Sequence, residues 1–244
     1  MYEWLVCPIQ GRQLKDVREE DIIGDFRFCN TYRGGGGYDQ FPKIAKSRGL
    51  SCTGDIGLQF VVQLFGCHLD CPYCYVTRDG INGKHVKYTT EELVNCYYWA
   101  FVNRPAGVFH LMGGAPALYL KYWTEIKIGL DPDVIFHSDL LLTEGDYNIW
   151  PFRIIKDRNT LLAINIKGVT RADYYRNTGK ELDTHLFWRN LEIVQESGVG
   201  FYLTFTNPDK RFLEEFKALL TKRCGENILK DHFVIDLIDY KALE

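Results

Sequence analysis

Three cysteines within eight residues, Cys67-His68-Leu69-Asp70-Cys71-Pro72-Tyr73-Cys74, constrain this chain more than any other stretch. They follow an apolar run, Leu58 to Phe65, that reads as a β-strand rich in Val and Phe. The thiols therefore sit where a strand ends. Three closely spaced thiolates can hold three corners of a metal cluster and leave the fourth without a protein ligand. Structural metal sites are usually closed by a full ligand set, whereas catalytic ones keep a position open. An iron–sulfur cluster with a vacant iron can bind a substrate or cofactor and pass it an electron. A zinc site would need a fourth ligand, which His68 or His85 could supply. Three cysteines without a second Cys-x-x-Cys pair fit the common zinc patterns poorly.

The rest of the chain alternates apolar runs with amphipathic stretches. Expected strands are Leu58–Phe65, Gly107–Met112, Val134–His137, Leu161–Ile166, Phe201–Phe205 and Phe233–Ile238. Between them the pattern predicts helices. One opens at Thr89, where Thr89 and Glu92 form a capping-box signature and Leu93, Tyr97 and Phe101 share a face. Others are expected over Leu118–Ile128, around Tyr147–Ile155, over Thr184–Ser197 before Gly198, and over Pro208–Arg223 with Phe212, Phe216 and Leu219-Leu220 buried. Strands alternating with helices imply right-handed βαβ units and a parallel sheet. The expected fold class is α/β: a partial (β/α)6 barrel with parallel strands plus an irregular N-terminal extension. The expected boundary separates residues 1–53 from a barrel over 54–244. Arg33-Gly34-Gly35-Gly36-Gly37-Tyr38 makes the extension either an irregular segment packed on the barrel or a lid hinged at the glycines.

Composition limits the setting. The 244 residues are 46% hydrophobic and 25% charged with net charge −3, and no Lys/Arg block stands out. There is thus no electrostatic footprint for nucleic acid or a membrane surface. No apolar stretch reaches transmembrane length, and Met1-Tyr2-Glu3-Trp4-Leu5 does not read as a signal peptide. A cytoplasmic location is expected, with the eight cysteines free, metal-bound or reactive rather than paired. Cys7, Cys29, Cys52, Cys96 and Cys224 are too scattered to suggest an auxiliary cluster.

A second signal, Leu111-Met112-Gly113-Gly114-Ala115-Pro116, follows the second expected strand. Two glycines let backbone groups approach a ligand closely. In this order, the cysteine loop and the glycine pair resemble the radical S-adenosylmethionine (radical SAM) superfamily. From Gly54 to Leu243 the chain is similar to the pyruvate formate-lyase activating enzyme and its short relatives. Gly54-Asp55-Ile56-Gly57, Ile164-Asn165-Ile166-Lys167, Asn177-Thr178-Gly179 and Ile235-Asp236-Leu237-Ile238-Asp239-Tyr240-Lys241 carry the likeness.

The resemblance implies that Cys67, Cys71 and Cys74 hold a [4Fe–4S] cluster and that S-adenosylmethionine (SAM) chelates the fourth iron. It places Tyr73 against the SAM adenine and the Gly113-Gly114 backbone at the SAM ammonium; Tyr75, also expected at the cofactor, departs from the His-Asn usual in the activating enzymes after the third cysteine. It places His137, Ser138 and Asp139 near the ribose, and Lys167 and Lys241 near the carboxylate. The implied activity is reductive cleavage of SAM to a 5′-deoxyadenosyl radical, which takes hydrogen from a small-molecule or peptide substrate. An external one-electron donor such as flavodoxin or ferredoxin is implied. A glycyl radical enzyme as protein substrate is the alternative, and a non-catalytic Fe–S or zinc module a third. The chain departs from the family pattern at Ala115, which stands where an acid is common, and at His137 and Asn165, which stand where acids bind a cation near SAM.

Overall fold

The computed structural model of the chain describes residues 4–9, 17–33, 39–156, 159–231, 234–237 and 240. In chain order the elements are β1 (Trp4–Val6), β2 (Ile22–Ile23), β3 (Phe26–Asn30), α1 (Phe41–Ser47), β4 (Asp55–Gln63), α2 (Arg78–Asn82), β5 (Val86–Tyr88), α3 (Thr90–Asn103) and β6 (Ala106–Met112). They continue with α4 (Trp123–Gly129), β7 (Ile135–Leu140), α5 (Ile149–Ile155), β8 (Thr160–Ile166), α6 (Arg171–Thr178), α7 (Thr184–Ser197), β9 (Phe201–Thr206), α8 (Lys210–Cys224), α9 (Ile228–Asp231) and β10 (Val234–Leu237).

Six parallel strands in the order β4-β6-β7-β8-β9-β10 form the partial barrel. Strand alternation sorts its two faces. Phe60, Phe109, Phe136, Ile164 and Phe205 point outward, into the core shared with the helices. Val108, Ile135, Leu161 and Tyr202 point inward. Helices α3 and α7 begin and end where their sequence says they should. Thr89 and Glu92 form the capping box of α3, and α7 runs from an Asp183 cap to a left-handed Gly198.

Besides the unexpected short elements α2, β5 and α9, three regions differ from the sequence expectation. Residues 116–122 form a 3-10 turn ahead of α4 rather than the start of one long helix. Helix α8 buries Leu213, Phe216 and Leu220 and leaves Phe212 and Leu219 partly exposed. Spacings of three and four keep 213, 216 and 220 on one stripe, from which 212 and 219 are rotated. Helix α6 carries no apolar period and went unpredicted.

The described residues before 54 are more ordered than their pattern suggests. Strand β3 pairs antiparallel with β4 and β2 with β3, so two strands extend the sheet beside β4. Strand β1 pairs with β5 and straps the end of β4: Cys7 N donates to Gln63 O (2.8 Å) and Phe65 N to Leu5 O (2.9 Å). Helix α1 stoppers the barrel base. Phe41, Ile44 and Ala45 pack on Val108, Ile135, Leu161 and Tyr202. The glycine run at 34–38, the proposed hinge, lies outside the described residues. Among these no helix is long and apolar enough to cross a membrane.

Candidate active site

The cysteine loop leaves β4 at the end of the barrel opposite the α1 stopper. Gly66 N donates to Ile81 O (2.7 Å), and Cys74 N donates to Cys71 O (3.0 Å). Leu69 N points at the Cys67 sulfur from 3.4 Å. Each cysteine is half-buried. Burial pushes the Cys67 thiol up to about 12, against the pull of that N–H. Ile9, Val76 and Ile81 make a small apolar cluster, with Val17, Ile22, Cys67, Cys74 and Tyr75 packed on it. Residues before β3 thus help keep water from the sulfurs.

The glycine pair joins this loop from the end of β6. Both residues have positive φ, +68° at Gly113 and +49° at Gly114. A side chain at 113 would collide with the Gln63 amide, and one at 114 with the Leu64 and Gly66 carbonyl oxygens. The glycines let β6 press against the start of the cysteine loop as well as face the cleft.

A third tie comes from α6. Asn177 Nδ2 lies within hydrogen-bond reach of Lys167 O (2.7 Å), Thr206 O (3.1 Å) and Asn207 O (3.1 Å), so one side chain clasps the exits of β8 and β9. The next residue, Thr178, accepts at its carbonyl from Asp70 N (2.7 Å). Gly179 ends α6 in the left-handed region, close against Asp70. Asn177-Thr178-Gly179 therefore fastens the cysteine loop to two strand ends.

These loops enclose a cleft of about 960 Å³, counting its open mouth. Cys67, Cys71, Cys74, Gly113, Gly114, Tyr73 and Tyr75 line it. From the strands come Asp139 on β7, Asn165 on β8, Lys167 just beyond it, and Tyr202, Thr204 and Thr206 on β9. Thr204 Oγ1 donates to Asn165 Oδ1 at 2.5 Å. Lys167 Nζ sits 5.5 Å from the Tyr73 ring centroid, and Tyr240 packs edge-on to the same ring at 5.8 Å. Asn207 holds the Tyr240 backbone at both its N–H and its carbonyl, so Tyr240 is fixed over the cleft.

Two expected residues stand elsewhere. Alternation turns Ser138 away from the cleft, where its Oγ donates to the Leu111 and Asp139 carbonyls. His137 points inward but lower, against Phe41 (4.4 Å between centroids) and the Tyr202 hydroxyl (3.2 Å). Lys241 lies outside the described residues. The sequence reading missed the inner face of β9, although Tyr202, Thr204 and Thr206 show the two-residue spacing of a strand face. It also missed Glu144, beyond β7. Burial raises the Glu144 carboxyl well above its usual range, and the field of Lys167 partly offsets this.

The donor set fits a [4Fe–4S] group. Three thiols share one apolar-backed space, and a lysine and an open glycine turn stand across from them. Among the described residues no three His, Cys, Asp or Glu side chains are drawn together to hold a single metal ion.

Among solved structures, Streptococcus suis SuiB bound to precursor peptide SuiA is similar over 85% of this chain and 46% of its own, at 12% identity and a TM-score of 0.53. SuiB bound to S-adenosylmethionine gives 85% and 47%, 12% and 0.52. The structure of anSMEcpe with bound AdoMet gives 71% and 48%, 17% and 0.51. At these identities the likeness speaks for the fold, and the chain spans about half the length of these proteins. No curated protein matches the sequence. The sequence profile of the Radical SAM superfamily matches residues 61–221, from within β4 through nearly all of α8. With the profile covering well over half its length, this chain belongs to the radical SAM superfamily.

Proposed function

We propose that the protein is a radical SAM oxidoreductase that removes a hydrogen atom from a small-molecule or peptide substrate. The family uses a [4Fe–4S] cluster and SAM. When bound, these supply an electron into the sulfonium and a 5′-deoxyadenosyl radical that attacks an unreactive C–H bond. The observation that carries the proposal is the shared cleft: Cys67, Cys71 and Cys74 face the same space as Gly113, Gly114 and Lys167, at the C-terminal ends of parallel strands.

The chain's own residues have distinct tasks in this reading. The three cysteines hold the cluster. The Gly113-Gly114 turn receives the SAM ammonium, and Lys167, with Lys241, neutralises the carboxylate. Asp139 accepts from ribose hydroxyls, and Tyr73 and Tyr75 wall the adenosine. Burial keeps both phenols protonated. The apolar shell of Ile9, Val76 and Ile81 limits water at the sulfurs. Likeness to the pyruvate formate-lyase activating enzyme is proposed only for this cofactor end, Lys167 above all. The electron comes from a donor such as flavodoxin or ferredoxin, in a reduced, cytoplasmic setting. The neighbour SuiB is described with a precursor peptide, which supports keeping peptides among the substrates.

The test is anaerobic reconstitution with iron and sulfide, followed by SAM and dithionite. Release of 5′-deoxyadenosine is expected, and Cys67→Ser should reduce it to background. A wild-type protein that takes up iron yet forms none would overturn the proposal.

A further inference from the structure

The N-terminal strands bring one group to the barrel that the cofactor chemistry leaves unused. Arg27 lies on β3, opposite Val61 of β4. Its neighbours Phe26 and Phe28 enter the outer core, so Arg27 and Cys29 occupy the inner face. There Nη2 donates to Met112 Sδ at 2.9 Å, and a thioether is a weak acceptor. Nε is buried without an acceptor, and among the described residues Arg27 forms no ion pair. Asp139, the nearby acid of the cleft, makes no ion pair with Arg27; its Oδ1 lies 3.9 Å from Nε2 of His110, a ring that burial keeps neutral.

Arg27 is half-buried; a guanidinium cannot shed its charge, and holding one partly desolvated without a counter-ion is costly. The same wall carries more spare donors. Gln59 and Gln63 are fully buried on the inner face of β4. Gln59 Oε1 accepts from His110 Nδ1 (2.6 Å), but its Nε2 has no partner. Neither amide atom of Gln63 has one. Three unpaired N–H donors, one of them cationic, ask for a ligand rich in acceptors and negative in charge. None of these three side chains lines the cleft itself, but the Gln63 amide packs against the lining residue Gly113. Met112 precedes the lining residue Gly113, and the charge of Arg27 is felt at Tyr75, which also lines it.

We propose that the β3–β4 wall seats an anionic group of the substrate, a carboxylate or a phosphate, with Arg27 as its anchor. The assignment rests on reading the cleft as a radical SAM site and adds the substrate class. The N-terminal strands are then a specificity element, placing one end of the substrate so that a C–H bond elsewhere in it faces the cofactor.

Anaerobically reconstituted holoenzyme with SAM is labelled with p-hydroxyphenylglyoxal, and modification of Arg27 is followed by peptide mass spectrometry. Excess succinate or inorganic phosphate is expected to slow labelling about tenfold, as when a probe exceeds its Kd by that ratio. The exposed Arg171 should label at an unchanged rate. Protection by succinate alone assigns a carboxylate, and protection by phosphate alone a phosphate. Protection by neither, or no labelling without them, overturns the proposal. Protection by SAM alone moves the anchor to the cofactor and also overturns it.

Thermal unfolding of Arg27→Met supplies a second readout. Removing an unpaired charge should raise the apparent Tm by about 2–5 °C and abolish stabilisation by the protecting anion. A fall in Tm would make Arg27 structural. Failure of the wild type to form 5′-deoxyadenosine would refute the radical reading and leave the anion results standing.

Discussion

Gly114 shows how a single residue carries the cleft. Its φ of +49° is strained for any L side chain, and an added Cβ would strike the carbonyls of Leu64 and Gly66. Gly114→Ala should therefore cost about 1–3 kcal/mol of stability, read by anaerobic denaturant unfolding. It should also weaken SAM binding, because the displaced Gly66 begins the cysteine loop. A variant as stable as wild type would mean that the turn relaxes without its neighbours. At this scale much was legible. Cysteine spacing is a local property, and so is a glycine pair after a strand. Arg27, Tyr202 and Thr204 were not legible as a group, because only the curl of the sheet brings strands 26–30 and 201–206 around the same space.

At the scale of elements, α6 clasps the site. Asn177 holds the ends of β8 and β9 while Thr178 holds Asp70 of the cysteine loop. Asn177→Ala would leave buried carbonyls without their shared donor, at a cost of about 1–3 kcal/mol. The expected signature is a cluster that loses iron faster to a chelator, followed by its visible absorbance. An unchanged rate would sever α6 from the loop. The sequence marks α3 and α7 clearly, because Thr89, Glu92, Asp183 and Gly198 are strong caps flanking apolar periods. It marks α6 poorly. Eight mostly polar residues give no stripe, and the helix is held by Asp173, which accepts from Val169 N and Asp209 N. Such ties join distant positions and leave no local pattern. The short strands β2 and β3 escape for the same reason, since their partners set their structure.

The whole molecule stores an acid sensitivity in its barrel. His110 and His137 lie in the interior with ring centroids 4.1 Å apart. Burial lowers both, His137 to about 3 from an ordinary 6.5. Between those values the unfolded chain binds protons that the folded barrel refuses. The contribution of His137 is thus fully present above pH 6.5 and declines as pH falls towards 3, by up to about 1.4 kcal/mol per pH unit, and His110 acts in the same direction. Unfolding at pH 7 and pH 5 should reveal the slope, and His137→Phe should make it shallower. A flat profile in the wild type would contradict the buried neutral pair.

The α1 stopper has a consequence for traffic. With Phe41, Ile44 and Ala45 sealing the base, the described part of the vessel is entered from the cysteine end. Depth then sets a queue. A guest lodged against the β3–β4 wall arrives before the one nearer the rim, departs after it, and is shut in for as long as its successor stays.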